Sequence, residues 1–233
     1  MPSVEEELAQ RLARGEEVVL ATVVKLDGEP PSQAGAKLLM SRDGPLAGTL
    51  GCSEFDSAAI ADSASIADTA SPQLRTYRHD LGSIEVYVEP YPAAPILVVF
   101  ANTPIARALV RSAEEVGFRP VLVDELRDLP APTAGELYVV HTNHDAEDLV
   151  QALEAVLPRD PRFIGLVGSR RHTGHHLEAL RAKGVPDEVI SRIQSPVGLD
   201  IGARTPQEIA LSILAGLVAV RRGGRGGWKS TNS

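Results

Sequence analysis

Residues 95–125 read PILVVFANTPIARALVRSAEEVGFRPVLVDE, from Pro95 to Glu125. A short apolar run, Ile96-Leu97-Val98-Val99-Phe100, is followed by a turn and then by a helical pattern over Pro104–Val116, in which Ile105, Leu109, Ala113 and Val116 recur on one face. A second apolar run, Pro120–Val123, closes the unit. This strand-turn-helix-strand order is the build of a dinucleotide-binding unit, yet the turn, Ala101-Asn102-Thr103-Pro104, contains no glycine. In G-x-G-x-x-G the first glycine makes the tight turn, the second lets the backbone approach a pyrophosphate, and the third lets helix pack on strand. Ala101, Thr103 and Ala106 stand in those places. Alanine serves at the third, but the first two bring a Cβ into space a phosphate would need. Thr103 before Pro104 instead makes a good N-cap and first helical residue. Asp124 stands where a ribose-binding acid would, about 20 residues on. The scaffold is therefore expected to serve packing, and the closed loop argues against NAD(P) in its ordinary pose.

Working outward, the apolar runs Leu137–Val140 and Phe163–Val167 alternate with helical patterns at Asp145–Leu157 and Thr173–Lys183. Strands alternating with helices at this interval predict a Rossmann-like, doubly wound parallel sheet over residues 96–220. Ahead of it, residues 1–89 read as a small α+β domain. A helix capped by Ser3 runs to Arg14, strands are expected at Val18–Lys25, Ala36–Met40, Leu74–Tyr77 and Ile84–Val88, and an Ala-rich helix at Ser53–Thr69. Residues 90–95, rich in proline, read as a linker, and residues 221–233 as a mobile tail with no apolar face to bury.

A net charge of −8 opposes an extended phosphate-tracking surface, so nucleic acid is not an expected partner. One cysteine excludes an internal disulfide, and with no charged-then-apolar leader and no long apolar span the reading is cytoplasmic, without a membrane partner. Positive charge must therefore act locally.

In an open parallel sheet, ligands collect beyond the carboxyl ends of the strands. The four strand ends lead into Ala101-Asn102-Thr103-Pro104, Asp124, His141-Thr142-Asn143-His144 and Gly168-Ser169-Arg170-Arg171, which should share one rim. Ser169, Arg170 and Arg171 offer a hydroxyl, backbone amides and two guanidiniums, the chemistry of an oxyanion or phosphate site. Thr205-Pro206-Gln207-Glu208 is a capping box that opens the last helix, with a secondary reading as an anion-binding terminus. The glycines of Pro196–Ala203 suit a backbone held near a ligand or a tight corner. His141, His144, His172, His175 and His176 lack the spacing of a metal site and read as polar lining. Cys52, ahead of Glu54 and Asp56 at a helix start, is either a reactive thiol or inert filler.

The linked motifs Gly-Ser-Arg at 168–170, Pro-Val-Gly-Leu-Asp-Ile-Gly-Ala at 196–203 and Thr-Pro-Gln-Glu-Ile-Ala at 205–210 closely resemble the C-terminal domain of the XdhC/CoxI family, accessory proteins of xanthine dehydrogenase and carbon monoxide dehydrogenase. LATVVKLDGEPPSQAGAKLLM, from Leu20 to Met40, is similar to that family's first strand, loop and second strand. The resemblance implies a chaperone that binds molybdenum cofactor (molybdopterin), shelters it while a terminal sulfur is installed, and passes it to an apo-hydroxylase. A cysteine desulfurase and a second copy of the chain are the further partners it allows. Two departures stand out. The family's first Rossmann loop commonly reads Gly-x-Gly-His, and its Gly-Gly-Gly-Cys-x-Glu segment aligns here with either Glu54 or Cys52 on the cysteine position, depending on a gap. The site residues so implied are Cys52, Glu54, Ser169, Arg170 and Arg171, with Asp124, His141 and Thr205 from the rim and the last helix. Two other functions compete: an NAD(P)-dependent oxidoreductase, and a non-catalytic assembly or regulatory subunit.

Overall fold

Alternation along the first long strand sets up the N-terminal half. The computed structural model describes residues 2–132 and 135–228, and the chain divides into two units, Met1–Ala94 and Pro95–Ser233. In the first, helix α1 (Val4–Ala13) starts at a capping box in which Ser3 and Glu6 satisfy each other's backbone amides. Strands β1 (Val18–Gly28), β2 (Lys37–Ser41), β3 (Gly44–Gly48), β4 (Gln73–His79) and β5 (Gly82–Tyr91) form an antiparallel sheet ordered β3-β2-β1-β5-β4, with α2 (Ser53–Thr69) between β3 and β4. Val19, Ala21 and Val23 face α2, where Phe55, Ala59 and Ile66 close a core with Leu38, Met40 and Val86. Val18, Leu20 and Leu39 point the other way and take Val4 and Leu8 of α1. The period of two thus gives this sheet two covered faces.

Strand β3, GPLAG, goes beyond the sequence expectation, since its two glycines and proline read as turn. The stretch read as a linker begins inside β5: Pro90 and Tyr91 lie opposite Val19 and Val18 of β1. Proline is tolerated there because β4 pairs with β5 only as far as Val88, so beyond it the strand has one neighbour and loses no ladder hydrogen bond.

The second unit is parallel throughout. Strands β6 (Ile96–Phe100), β7 (Arg119–Val123), β8 (Leu137–His141), β9 (Phe163–Leu166) and β10 (Ile193–Gln194) are ordered β10-β9-β8-β6-β7. Helices α3 (Pro104–Ala113), α4 (Leu149–Val156), α5 (Arg170–Ala182), α6 (Asp187–Ser191) and α7 (Pro206–Arg222) cover it. Every residue of β6 is buried, because Leu97 and Val99 pack under α3 and α7 while Ile96, Val98 and Phe100 pack under α4 and α5. Helices on both faces make this the doubly wound architecture, in the flavodoxin-type strand order. Strand order reverses between β6 and β8, and there a ligand crevice is expected.

The four anticipated strands and the helices are present, with shifted ends. Helix α4 begins at Leu149 rather than Asp145 because Asn143 Oδ1 accepts the Asp145 amide and holds a turn ahead of it. Val116, placed on the buried stripe of α3, lies past that helix in a 3₁₀ turn and is exposed. The expected tail starts too early: Arg221 and Arg222 are helical, and Gly223 at φ 70° ends α7. Arg221 donates to the Val116 and Gly117 carbonyls, with its guanidinium 4.6 Å above the Phe118 ring. Residues 229–233 of that expected tail lie outside the described residues. Among the described residues no helix is long and apolar enough to cross a membrane.

Candidate functional site

The crevice at the reversal of strand order is shut by two threonines. Thr142, 4% exposed, directs its Oγ1 hydroxyl at the Phe100 and Ala101 carbonyls, 2.9 and 3.0 Å away, and accepts a 2.8 Å hydrogen bond from Thr103 Oγ1. Thr103 Oγ1 in turn accepts the Ala106 amide and caps α3. The Ala101 amide is used by Val123 O and the Thr103 amide by Ala101 O. A pyrophosphate would need these amides, and each already has an acceptor. Ala101 sits at φ 68°, in the left-handed region that favours glycine. The turn has therefore kept the backbone path of a glycine loop while two of its amide donors, those of Ala101 and Thr103, have been turned inward.

The loop after β9 is built the other way. Gly168 takes φ 131°, and a Cβ there would lie 3.0 Å from the Cβ and Cγ of His144. Only glycine lets the chain leave β9 beneath that imidazole. Ser169 is the N-cap of α5 but makes no side-chain cap; its hydroxyl lies 3.2 Å from His172 Nδ1. The His172 and Thr173 amides reach back to Ser169 O, leaving the Arg170 and Arg171 amides at the helix end without a side-chain acceptor. Both arginines are exposed, α5 has no acid in its first turn, and neither arginine has an ion-pair partner among the described residues. Helix dipole, free amides and two unneutralised guanidiniums thus add at one point.

This loop is braced from behind. Ser195 Oγ donates to Gly168 O at 2.9 Å and lies 2.7 Å from Thr173 Oγ1, and Arg170 Nε donates to Ser195 O at 3.3 Å. His144 stacks on His172 with ring centroids 5.1 Å apart, and His144 O is 2.8 Å from His176 Nε2. Ser195 and Thr142 escape a reading of the sequence, because a lone hydroxyl in a loop has no periodicity or spacing to mark it.

Asp124 is exposed at the end of β7, three strands from β9, which is about 14 Å at ordinary strand spacing. It borders the closed first turn and stands apart from the arginines. His141 ends β8 but is 2% exposed and stacked on Phe100 at 5.6 Å, so it does not line an open surface as the rim reading required. Burial pushes its imidazole down from 6.5 to about 4, against the attraction of Asp148. Thr205 accepts the Glu208 amide, while Glu208 Oε2 takes the Thr205 and Arg204 amides. Those backbone donors hold the Glu208 carboxyl below its usual range. The Arg204, Thr205 and Glu208 amides at the start of α7 are thereby satisfied by its own residues, which gives the Thr205 hydroxyl a capping role. Among the described residues no group of three or more His, Cys, Asp or Glu side chains is arranged to hold a metal ion.

In the first unit Cys52 is the N-cap of α2, half-buried against the core, with no side-chain cap. Glu54 is exposed in the first turn, 3.8 Å from His79 Nε2. Asp56 is structural: it accepts from Thr49 Oγ1 and the Leu50 amide at 2.8 and 2.7 Å, fixing the loop that presents Cys52. Gly51, at φ 121°, leaves no room for a Cβ, which would fall 2.1 Å from Pro31 O.

Comparison with known proteins places these features in a family. The model described as the XdhC Rossmann domain matches residues 97–217, and that of the XdhC and CoxI family matches residues 11–78. The chain is 29% identical to the uncharacterized protein YqeB of Escherichia coli over 244 residues, 89% of this chain and 44% of that protein. It is 27% identical to the molybdenum cofactor insertion chaperone PaoD of Escherichia coli over 129 residues, 54% of this chain and 40% of that one. With a probable xanthine dehydrogenase subunit of Bacillus subtilis, identity is 36% over 84 residues, 36% of this chain and 23% of that one. The chain thus spans less than half the length of these curated relatives.

Proposed function

The chain belongs to the XdhC and CoxI family, and from that premise we propose that it binds molybdenum cofactor as cargo and delivers it to a molybdenum hydroxylase of the xanthine dehydrogenase type. The observation that carries this reading is the contrast between the two loops: the first turn spends the Ala101 and Thr103 amides internally and caps its helix with Thr103, whereas the start of α5 has no side-chain cap and sets the Arg170 and Arg171 amides beside their two guanidiniums. A cofactor phosphate suits that second arrangement, since a helix N-terminus and guanidinium forks both favour a dianion. The similarity to a protein named as a cofactor insertion chaperone supports the same reading.

In this mechanism the cofactor supplies the oxo-metal chemistry used later by the client enzyme. The chain's own residues bind and release. Arg170 and Arg171 hold the phosphate, Ser169 Oγ donates to it or to His172, and the Ser195 bracing keeps the helix end from moving. We propose Cys52 and Glu54, at the start of α2, as a cargo contact of the first unit considered by itself. Cys52 is the one thiol of the chain, and its half-buried place on a loop held by Asp56 suits a soft ligand for a thiophilic centre. An exposed, reversible site fits a carrier that must give its ligand up. The NAD(P) oxidoreductase reading loses support at Thr103 and Thr142. A purely assembly-related role is the outcome if cargo is absent.

The test is pterin content. Protein isolated anaerobically from cells that make the cofactor is expected to carry molybdopterin, measured as its fluorescent oxidation product. Arg170→Ala with Arg171→Ala should lower occupancy at least about tenfold, the scale of losing charge-assisted bonds to one phosphate. Occupancy unchanged in the double variant, or no pterin in the parent protein at all, overturns the reading.

A further inference from the structure

A cavity of the second unit lies at the wrong end of the sheet for the site above. It occupies about 440 Å³ at the amino ends of the parallel strands, floored by Ile96, Val98 and Leu137. Active sites of open parallel sheets lie at the opposite ends, so this hollow is no part of the α5 site. Three guanidiniums line it, from Arg159, Arg162 and Arg192, against two carboxylates, Glu136 and Asp160. That excess of positive charge stands out in a chain of net charge −8.

Each arginine is held in place by partners that leave most of its five N–H groups free. Arg159 is half-buried and donates to Pro130 O at 2.6 Å, a neutral acceptor; it has no carboxylate partner among the described residues. Arg192 donates to Pro161 O at 3.0 Å and to Asp160 Oδ1 at 3.2 Å, the latter an acceptor on a carboxylate that is 86% exposed. Arg162 pairs with Glu136 Oε1 at 2.7 Å, but Glu136 Oε2 is shared with the Tyr138 hydroxyl at 2.9 Å. A half-buried guanidinium with only a carbonyl for company is costly, and an anion would offset that cost. The volume falls in the ordinary range of small-molecule sites, and the floor is apolar.

We propose that this cavity is a second ligand site, for a small organic anion that lays a flat apolar body on Ile96 and Leu137 and presents one oxyanion group, phosphate or carboxylate, to Arg159 and Arg192. Its occupant differs from the cargo of α5 and binds independently of it.

Calorimetry with phenyl phosphate, benzoate and benzyl alcohol tests this, each at up to about 10 mM, enough to fill a site of even ~1 mM affinity. Binding of phenyl phosphate or benzoate, weakened at least about tenfold by Arg159→Gln and by Arg192→Gln, is the expected result, and the stronger of the two names the headgroup. Reading Arg192→Gln alongside Arg159→Gln guards against the latter merely loosening the Pro130 loop. Arg170→Ala should leave probe binding intact, which separates this site from α5. The proposal is overturned if neither anion binds, if neutral benzyl alcohol binds as tightly, if both glutamine variants bind normally, or if Arg170→Ala alone abolishes binding.

Discussion

At φ 68° Ala101 holds a left-handed backbone that costs an L-residue about 1–2 kcal/mol. Glycine would remove that strain at an entropic cost of roughly 0.5–1 kcal/mol. Ala101→Gly is therefore expected to raise unfolding stability by up to about 1 kcal/mol in urea titration; a loss of that size would contradict the strained turn. His141 supplies a second residue-level prediction. Its folded pKa of about 4 lies below the usual 6.5, so it is neutral in both folded and unfolded chains above that value and contributes no pH dependence there. As pH falls from 6.5 towards 4 the unfolded chain takes the proton first, and stability should drop by about 3 kcal/mol in total. His141→Gln should flatten that part of the stability profile, and an unchanged slope between pH 6.5 and 4 would show that the imidazole is not held neutral. Neither property is legible in the sequence. Phe100 covers that imidazole from the neighbouring strand β6, and side-chain burial at a strand end depends on what the next loop does.

Among the helices, three N-caps differ in what they satisfy. Thr205 and Thr103 accept backbone amides, whereas Ser169 does not. Thr205→Ala should cost about 1 kcal/mol and Ser169→Ala less than about 0.5 kcal/mol, by chemical denaturation. Equal costs would mean that Ser169 caps α5 after all and that its amides are not free. Periodicity and capping chemistry make most elements readable. Ser53–Thr69 is legible end to end, as is Ile96–Phe100, because local residues decide them. Elements fixed from outside are not: β3 exists because β2 offers it an edge, and β10 pairs two residues with β9 through contacts far along the chain. The same divide runs through the site. Gly168-Ser169-Arg170-Arg171 can be picked out from sequence, since it follows a strand and begins a helix. That the start of α7 is closed and the start of α5 open cannot, because the difference rests on where one serine hydroxyl points.

Over the whole molecule, the doubly wound sheet fixes which strand ends share a rim, and hence which loops can cooperate. The strand order puts Asp124 on one flank and Arg170 on the other, with the closed Thr103–Thr142 pair near the middle. A dinucleotide laid across that rim would need the middle open, so NADH at about 1 mM should give no binding heat, and a measurable affinity would mean that the threonine pair opens. The proposed cargo site has its phosphate donors at α5 and not at the first turn. Backbone amide NMR on addition of molybdopterin addresses this most directly. The Arg170 and Arg171 amide resonances are predicted to move while those of Ala101, Asn102 and Thr103 stay in place; shifts confined to Ala101–Thr103, with α5 unmoved, would contradict it.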